Sequence, residues 1–329
     1  MKETLQYLFE GNRLTRQEAK NSLLEVGKGL HSENEFASFL TVFKMRPIHS
    51  DELAGFRDAM FELSTHVDLS EFEAIDVVGT GGDGKNTFNI STIACFVLAG
   101  AGVNVTKHGN YAVSSNSGSS NVLEYMGYKF SNNIDKLKND LEKGGFCFLH
   151  SPLFHPAMKH IAPVRRALKV PTFFNILGPM INPSAPQHQL LGVNNTENFE
   201  HYRNIFETLN INFAIVNSVD GYDEISLTSE TRIAERGKEL LLSSADFGFG
   251  ELVPESLYGG NSVEDAAKIF IAVLEGKATA AQTNVVLANS ALALKLINPQ
   301  QSLIDCVEIG RQSIESGNAL KKLKAVISE

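Results

Sequence analysis

Residues 74–92, AIDVVGTGGDGKNTFNIST, constrain the fold of this chain more than any other stretch. A short apolar run ends in four glycines and an aspartate, and an apolar helix-like segment, ISTIACFVLAGAG, follows at once. Glycine lacks the Cβ that would keep a ligand away from the backbone, so the amides of such a loop can converge on an anion. A helix starting near Ile90 adds its unpaired N-terminal amides and the positive end of its dipole. Gly79, Gly81, Gly82 and Gly84 are therefore candidate anion-binding backbone positions. Asn89, Ile90, Ser91 and Thr92 join them at the helix start, where a hydroxyl can also ligate a cation. The order GDGKN fits neither the G-x-x-x-x-G-K-[ST] phosphate loop nor the dinucleotide pattern G-x-G-x-x-G. A plain tight turn into a helix is the alternative reading.

A second apolar run, VNVTK, leads into TKHGNYAVSSNSGSSNVLE at residues 106–124. Lys107, His108, Asn110, Ser114, Ser115, Asn116, Ser117, Ser119 and Ser120 crowd this loop with almost no apolar filler. Loops at the carboxyl ends of neighbouring strands are where open α/β sheets bind ligands. A lysine with many short donors suits a pyrophosphate, with a solvated Ser/Gly linker as the alternative.

The first 65 or so residues read as helices. Thr15 with Glu18 and Ser32 with Glu35 have capping-box spacing, and Pro47 breaks the run before Ser50-Asp51-Glu52 restarts it. Further strands are expected at 146–150, 188–193 and 213–219, with helices at Ile134–Glu142 and Asn198–Leu209 between them. From Val263 on the chain reads as largely helical. Alternation of strand and helix predicts an α/β fold with a mostly parallel central sheet. The expected division is a small all-helical domain over 1–65 and an α/β domain over 70–329. A helical segment near 155–180 would pack back on the first domain.

The chain has 329 residues, 43% of them hydrophobic, enough for a full core. Cys95, Cys147 and Cys306 are scattered in apolar contexts and are expected to be reduced, buried thiols. A net charge of -9 argues against a nucleic-acid surface. No apolar run approaches a membrane span, and the charged N-terminus lacks a signal-peptide pattern, which predicts a cytoplasmic protein.

The two loops together resemble those of the anthranilate phosphoribosyltransferase family. FHPAMKHIAPVRRALKVPTFFNILGPMINP at 154–183 and DGYDEISL at 220–227 are similar to that family's next two blocks, in the same order. The resemblance implies a nucleoside phosphorylase / phosphoribosyltransferase-like fold and a homodimer packed through the helical domain. It also implies transfer of a phosphoribosyl group from phosphoribosyl pyrophosphate (PRPP) to the amine of anthranilate, with Mg2+ as cofactor. The donor positions it implies are Gly79, Thr80, Gly81, Gly82, Asp83, Thr87, Asn89, Ile90, Ser91 and Thr92, then Lys107, His108, Gly109, Asn110, Tyr111, Ala112, Val113, Ser114, Ser115 and Ser119. It implies Ser91, Asp223 and Glu224 as magnesium ligands, and Gly79, His108, Asn110, His155 and Arg165 near anthranilate. Tyr111 stands where the family most often has arginine, Asn116 where lysine is common and Tyr222 where leucine is common.

The residues fit such chemistry. Asp223-Glu224 are adjacent hard oxygen ligands suited to magnesium, although Asp-Gly-x-Asp-Glu is also good turn chemistry. A guanidinium suits the acceptor carboxylate, but spacing alone does not choose between Arg165 and Arg166. No classical acid or base is expected, because the acceptor amine is itself the nucleophile. Lys107 and His108 would act electrostatically. The rival readings are a pyrimidine nucleoside phosphorylase, which needs no acidic pair, and a non-catalytic nucleic-acid-binding relative, which expects a basic face.

Overall fold

The computed structural model describes residues 1–112 and 117–327, so Val113, Ser114, Ser115 and Asn116 lie outside the described residues. In chain order the helices begin with α1 (Lys2–Phe9), α2 (Arg16–Gly27), α3 (Glu33–Met45) and α4 (Ser50–Glu62). Next come β1 (Ile75–Gly79), α5 (Ile90–Gly100), β2 (Val105–Gly109), α6 (Ser119–Tyr125), α7 (Ile134–Gly144) and β3 (Phe146–His150). Three helices follow, α8 (Ser151–Phe154), α9 (Met158–Leu168) and α10 (Phe174–Leu177). The chain continues through β4 (His188–Gly192), α11 (Thr196–Phe206), β5 (Asn212–Ser218), β6 (Thr231–Glu235) and β7 (Lys238–Leu242). It ends in α12 (Val263–Leu274), α13 (Ala280–Ile297), α14 (Leu303–Glu315) and α15 (Asn318–Ile327).

Two compact units result: residues 1–67 with 151–183, and residues 68–150 with 184–329. In the helical unit Thr15 and Ser32 each cap their helix through complete capping boxes with Glu18 and Glu35. Gly55 on α4 lets α2 approach closely, since a Cβ there would lie 2.2 Å from the Arg16 carbonyl. The core is aromatic: Phe56 stacks on Phe173 with centroids 4.3 Å apart, and Phe39 and Phe43 meet Phe56 edge-on. The segment expected to be helical from 155 to 177 is interrupted. Lys169 takes a left-handed φ of 53° that closes α9, and Pro171 prevents its continuation.

The α/β unit holds a sheet in the order β3-β2-β1-β4-β5-β6-β7. The first five strands in that order are parallel, and β6 and β7 continue it antiparallel. Successive strands step outward from β1 on both sides, so the switch point lies between β1 and β4, where Gly79 pairs with Gly192. Helix α5 is apolar on every face and is buried almost throughout, packed against α13 and α15. All three cysteines are free and buried.

Three local features depart from the sequence reading. Strand β2 spans Val105–Gly109 where 103–107 was expected, so His108 and Gly109 are strand residues in register with Leu149 and His150, and Lys107 lies within the strand rather than at its end. Helix α6 has no counterpart among the expected elements. The hairpin β6–β7 has none either, because TRIAERGKELLL carries few residues with strong strand preference and turns on a single Gly237 at φ 64°.

The helical unit also contains a buried ion pair. Glu52 is fully buried and accepts from Arg46 twice, at 2.6 and 2.9 Å, and from the Leu14 and His49 amides, each at 3.0 Å. Burial alone would raise its pKa, yet Arg46 and the two amides hold it below the usual carboxylate range. Replacing it with alanine strands the Arg46 charge and both amides, so Glu52→Ala should cost about 3–5 kcal/mol. Denaturant unfolding of the whole chain measures this, and an unchanged midpoint would show that the pair contributes nothing.

Candidate active site

Within the α/β unit the glycine loop leaves β1 over the end of β4. The Thr80 amide donates to the Gly192 carbonyl at 2.9 Å, continuing the ladder one residue past the strand. Gly81, Gly82 and Gly84 have φ between 64° and 72°, a left-handed region that side chains rarely tolerate. A Cβ on Gly81 or Gly84 would meet nothing within 4 Å, so backbone conformation rather than crowding demands glycine there. Asn194 holds the loop at one end by donating to the Gly81 carbonyl at 3.1 Å. At the other end Asn86 donates to the Gly260 carbonyl at 3.1 Å, and Thr87 bridges Tyr258. The loop then enters α5 through Asn89, with Ser91 and Thr92 in the first turn.

The acidic turn that follows β5 seats directly against these strand ends. Asp223 accepts from the Gly81 amide at 2.6 Å. A Cβ on Gly79 would lie 2.3 Å from the Asp223 carboxylate, and one on Gly192 only 1.5 Å from the Asp223 carbonyl. Ser218 donates its hydroxyl to the Glu224 carbonyl at 2.7 Å, and Asp220 accepts from Thr228 and Ser229 at 2.6 and 2.8 Å. Asn289, buried on α13, clamps Ile225 by accepting from its amide at 3.1 Å and donating to its carbonyl at 2.9 Å.

Three carboxylates thereby share a poorly solvated place. Burial, then the charge of Asp83, pushes Asp223 up to about 7. Burial, then Asp223 and Asp83, pushes Glu224 well above its usual value, with the Ser91 amide and Lys107 working the other way. Asp83 is raised by burial. Glu224 Oε2 and Asp83 Oδ2 are buried with no hydrogen-bond partner. Buried carboxylate oxygens of this kind call for a cation, and a hard all-oxygen set suits magnesium. Among the described residues no group of three or more His, Cys, Asp or Glu side chains is arranged to hold a metal ion.

Lys107 is buried, and its ammonium donates to the Val77 carbonyl between β2 and β1. His108 is also buried, with its amide donating to Asp76 at 3.3 Å. A Cβ on Gly109 would lie 2.6 Å from the Ser119 hydroxyl. Beyond β2, the Asn110 carbonyl accepts from the Ser120 amide at 3.3 Å, and the Ser119 hydroxyl reaches the same carbonyl at 3.4 Å. Asn121 ties together the two ends of the loop, accepting from the Ala112 amide at 3.0 Å and the Gly118 amide at 3.1 Å. Tyr111 turns its hydroxyl to Glu124 at 3.1 Å. The loop positions 113–115 assigned to the donor lie outside the described residues.

His155 and Arg165 belong to the helical unit, whereas Gly79, His108 and Asn110 belong to the α/β unit. Burial, then His66, lowers His155 to about 4, so its imidazole is neutral near pH 7. The structure separates the two arginines: Arg166 is exposed, whereas Arg165 is half-buried over the Phe174 ring, 5.2 Å from its centroid, and donates to Asn175 at 3.3 Å.

Residues 2–64 match the helical bundle domain of a glycosyl transferase family, and residues 71–320 match its a/b domain. Fold and family models thus define a glycosyl transferase, with a glycine loop closed on an acidic turn. The chain is 50% identical over 327 residues to the anthranilate phosphoribosyltransferase of Phocaeicola vulgatus, covering 99% of each chain. The crystal structure of the Thermus thermophilus anthranilate phosphoribosyltransferase aligns with a TM-score of 0.91 at 32% identity over 98% of both chains. The Saccharomyces cerevisiae enzyme in complex with PRPP and Mg aligns with a TM-score of 0.91 at 29% identity, covering 98% of this chain and 96% of that one. The chain belongs to the anthranilate phosphoribosyltransferase family. The nucleoside phosphorylase reading gives way to it.

Sequence reasoning missed Gly192, Asn194, Asn121 and Asn289. A glycine ending the fourth strand and an asparagine inside the apolar helix TNVVLANSALALKLI were the available signals. Gly192→Ala must push the acidic turn off the sheet. Displacement of that order costs about 100-fold in turnover. Steady-state assay with circular dichroism checks this: a near-normal rate in a folded variant would mean the turn does not depend on the bare strand end.

Proposed function

We infer that this chain transfers the phosphoribosyl group of PRPP to the amine of anthranilate, giving N-(5-phosphoribosyl)anthranilate and pyrophosphate in tryptophan biosynthesis. The observation that carries the reading is the glycine loop closed against a buried acidic turn at the sheet's switch point. Displacement at the anomeric carbon builds positive charge on the ribose and negative charge on the leaving pyrophosphate. The remaining loop amides and the first turn of α5 would bind the donor oxygens, those of Thr80 and Gly81 being taken by Gly192 and Asp223. Ser91, Asp223 and Glu224 would hold Mg2+. Its chemistry is to neutralise the departing pyrophosphate. Lys107 is buried with its ammonium on the Val77 carbonyl, and its charge opposes the upward shift of the acidic pair.

The acceptor needs no ionising base, since an aromatic amine attacks with its own lone pair. Arg165 supplies the guanidinium for the anthranilate carboxylate. Its partial burial lowers its pKa but strengthens each charge-assisted hydrogen bond it makes. His155 contributes a neutral face. Positioning and electrostatics then supply most of the rate. A homodimer through the helical unit and a cytoplasmic location complete the proposal; Phe9, Leu30 and Met45 supply exposed apolar surface on that unit. Among the described residues no helix is long and apolar enough to cross a membrane.

The loss of anthranilate fluorescence, followed with PRPP and Mg2+ each omitted in turn, tests the reaction directly. Turnover should require both, and turnover without PRPP would reject it. Arg165→Ala should raise the KM for anthranilate by about tenfold or more, as loss of a charge-assisted contact does, with little change for PRPP. An unchanged anthranilate KM would sink that assignment. The double variant Asp223→Ala with Glu224→Ala should lose most Mg-dependent turnover, and near-normal rates would reject the acidic pair as the metal site.

A further inference from the structure

The donor is polyanionic, yet the two donor loops are short of free cations. Loop residues 79–92 contain Lys85 alone, and loop residues 107–120 contain Lys107 and His108, both buried in β2. Lys85 is exposed, and its surroundings are organised. Gly84 and Asn86 on either side have φ of 72° and 46°, and Asp83 accepts the Lys85 amide at 3.1 Å. The loop is tied down at Gly81 by Asn194 and just after Lys85 by the Asn86 contacts, so the segment between projects from two fixed points. The Lys85 ammonium sits over the Tyr222 ring, 4.7 Å from its centroid. Tyr222 is only 3% exposed and adjoins Asp223. Lys85 therefore spans the two halves of the site, the glycine loop and the acidic turn.

We propose that Lys85, held over the face of Tyr222, is this chain's contact to the pyrophosphate of its phosphoribosyl donor. The proposal rests on the functional reading above. A cation–π contact at an exposed site is worth about 0.5–1 kcal/mol. That is enough to keep a flexible ammonium near the cradle and weak enough to yield to a phosphate. It also spares the side chain the rotamer entropy of being ordered only on binding. Tyr222 is the matching half: its ring gives the lysine a resting place that leucine does not.

Steady-state kinetics of wild type, Lys85→Met, Lys85→Arg, Tyr222→Phe and Tyr222→Leu, with each substrate varied in turn, test the pair. Lys85→Met should raise the KM for PRPP about tenfold, the factor that corresponds to ~1.4 kcal/mol. Its kcat and its KM for anthranilate should change little, and its melting temperature should stay as in wild type. Lys85→Arg should recover most of the donor affinity. Tyr222→Phe, which keeps the ring face, should match wild type, with Tyr222→Leu between it and Lys85→Met. The loss in Lys85→Met should shrink at high salt, because screening weakens a solvent-exposed charge contact. An unchanged PRPP KM in Lys85→Met, equal losses for both substrates, or no recovery in Lys85→Arg overturns the proposal. If Tyr222→Leu does not fold, the two lysine variants decide it. A wild type that turns over only with PRPP while Lys85→Met is normal rejects this contact and leaves the functional reading standing. A wild type with no PRPP-dependent turnover rejects both.

Discussion

Asp223 against the bare ends of β1 and β4 is the contact on which the site depends. Gly79 and Gly192 pair across the parallel ladder, and both lack the Cβ that would occupy the place of the acidic turn. The Gly81 amide then reaches Asp223 at 2.6 Å, so the glycine loop and the acidic turn are one assembly although 142 residues separate them. The sheet order makes this possible. With β1 and β4 adjacent at the switch point, the loop after β1 and the turn after β5 emerge on the same edge.

Such an assembly costs free energy when nothing is bound. Asp83, Asp223 and Glu224 are desolvated together and repel one another, and each is pushed up by burial first. The fold opposes this repulsion with rigidity from behind. Asn289 reaches from the buried α13 to grip Ile225 on both its amide and its carbonyl, and Ser218 fixes the Glu224 carbonyl. The turn is thus held by hydrogen bonds to its backbone, with Asp223 taken by the Gly81 amide and Glu224 Oε2 left buried without a partner. Preorganised charge of this kind gains most when it meets charge that develops in the transition state.

Much of the architecture was legible because periodicity and punctuation are local signals. The apolar run ending at Gly79, the all-apolar α5 and the capping boxes at Thr15 and Ser32 are each written within a few residues. Asp223-Glu224 could not be read that way. As sequence the pair is equally good turn chemistry, and its burial beside Asp83 is visible only in the fold. The placement of Lys107 was misread for a related reason. The polar composition of TKHGN suggested loop, but pairing with Phe148 and Leu149 extends β2 through it and turns the lysine inward to Val77. Gly192 and Asn289 were invisible for want of long-range information, since each matters only for what another segment places against it.

That inward turn changes how the donor site is charged. Buried between two strands, Lys107 is not an exposed charge of the loop. Tyr111 adds to the effect. Its hydroxyl donates to Glu124 at 3.1 Å, and its ring meets His150 edge-on with centroids 4.9 Å apart, so this residue serves the local packing of α6 and β3. The loop after β2 therefore offers amides and hydroxyls among its described residues but no exposed cation. The first turn of α5 and the exposed Lys85 are then the positive features that the glycine loop presents. Backbone dipoles do not depend on side-chain identity, which is why a cradle built from them can keep its function while the charged residues around it change.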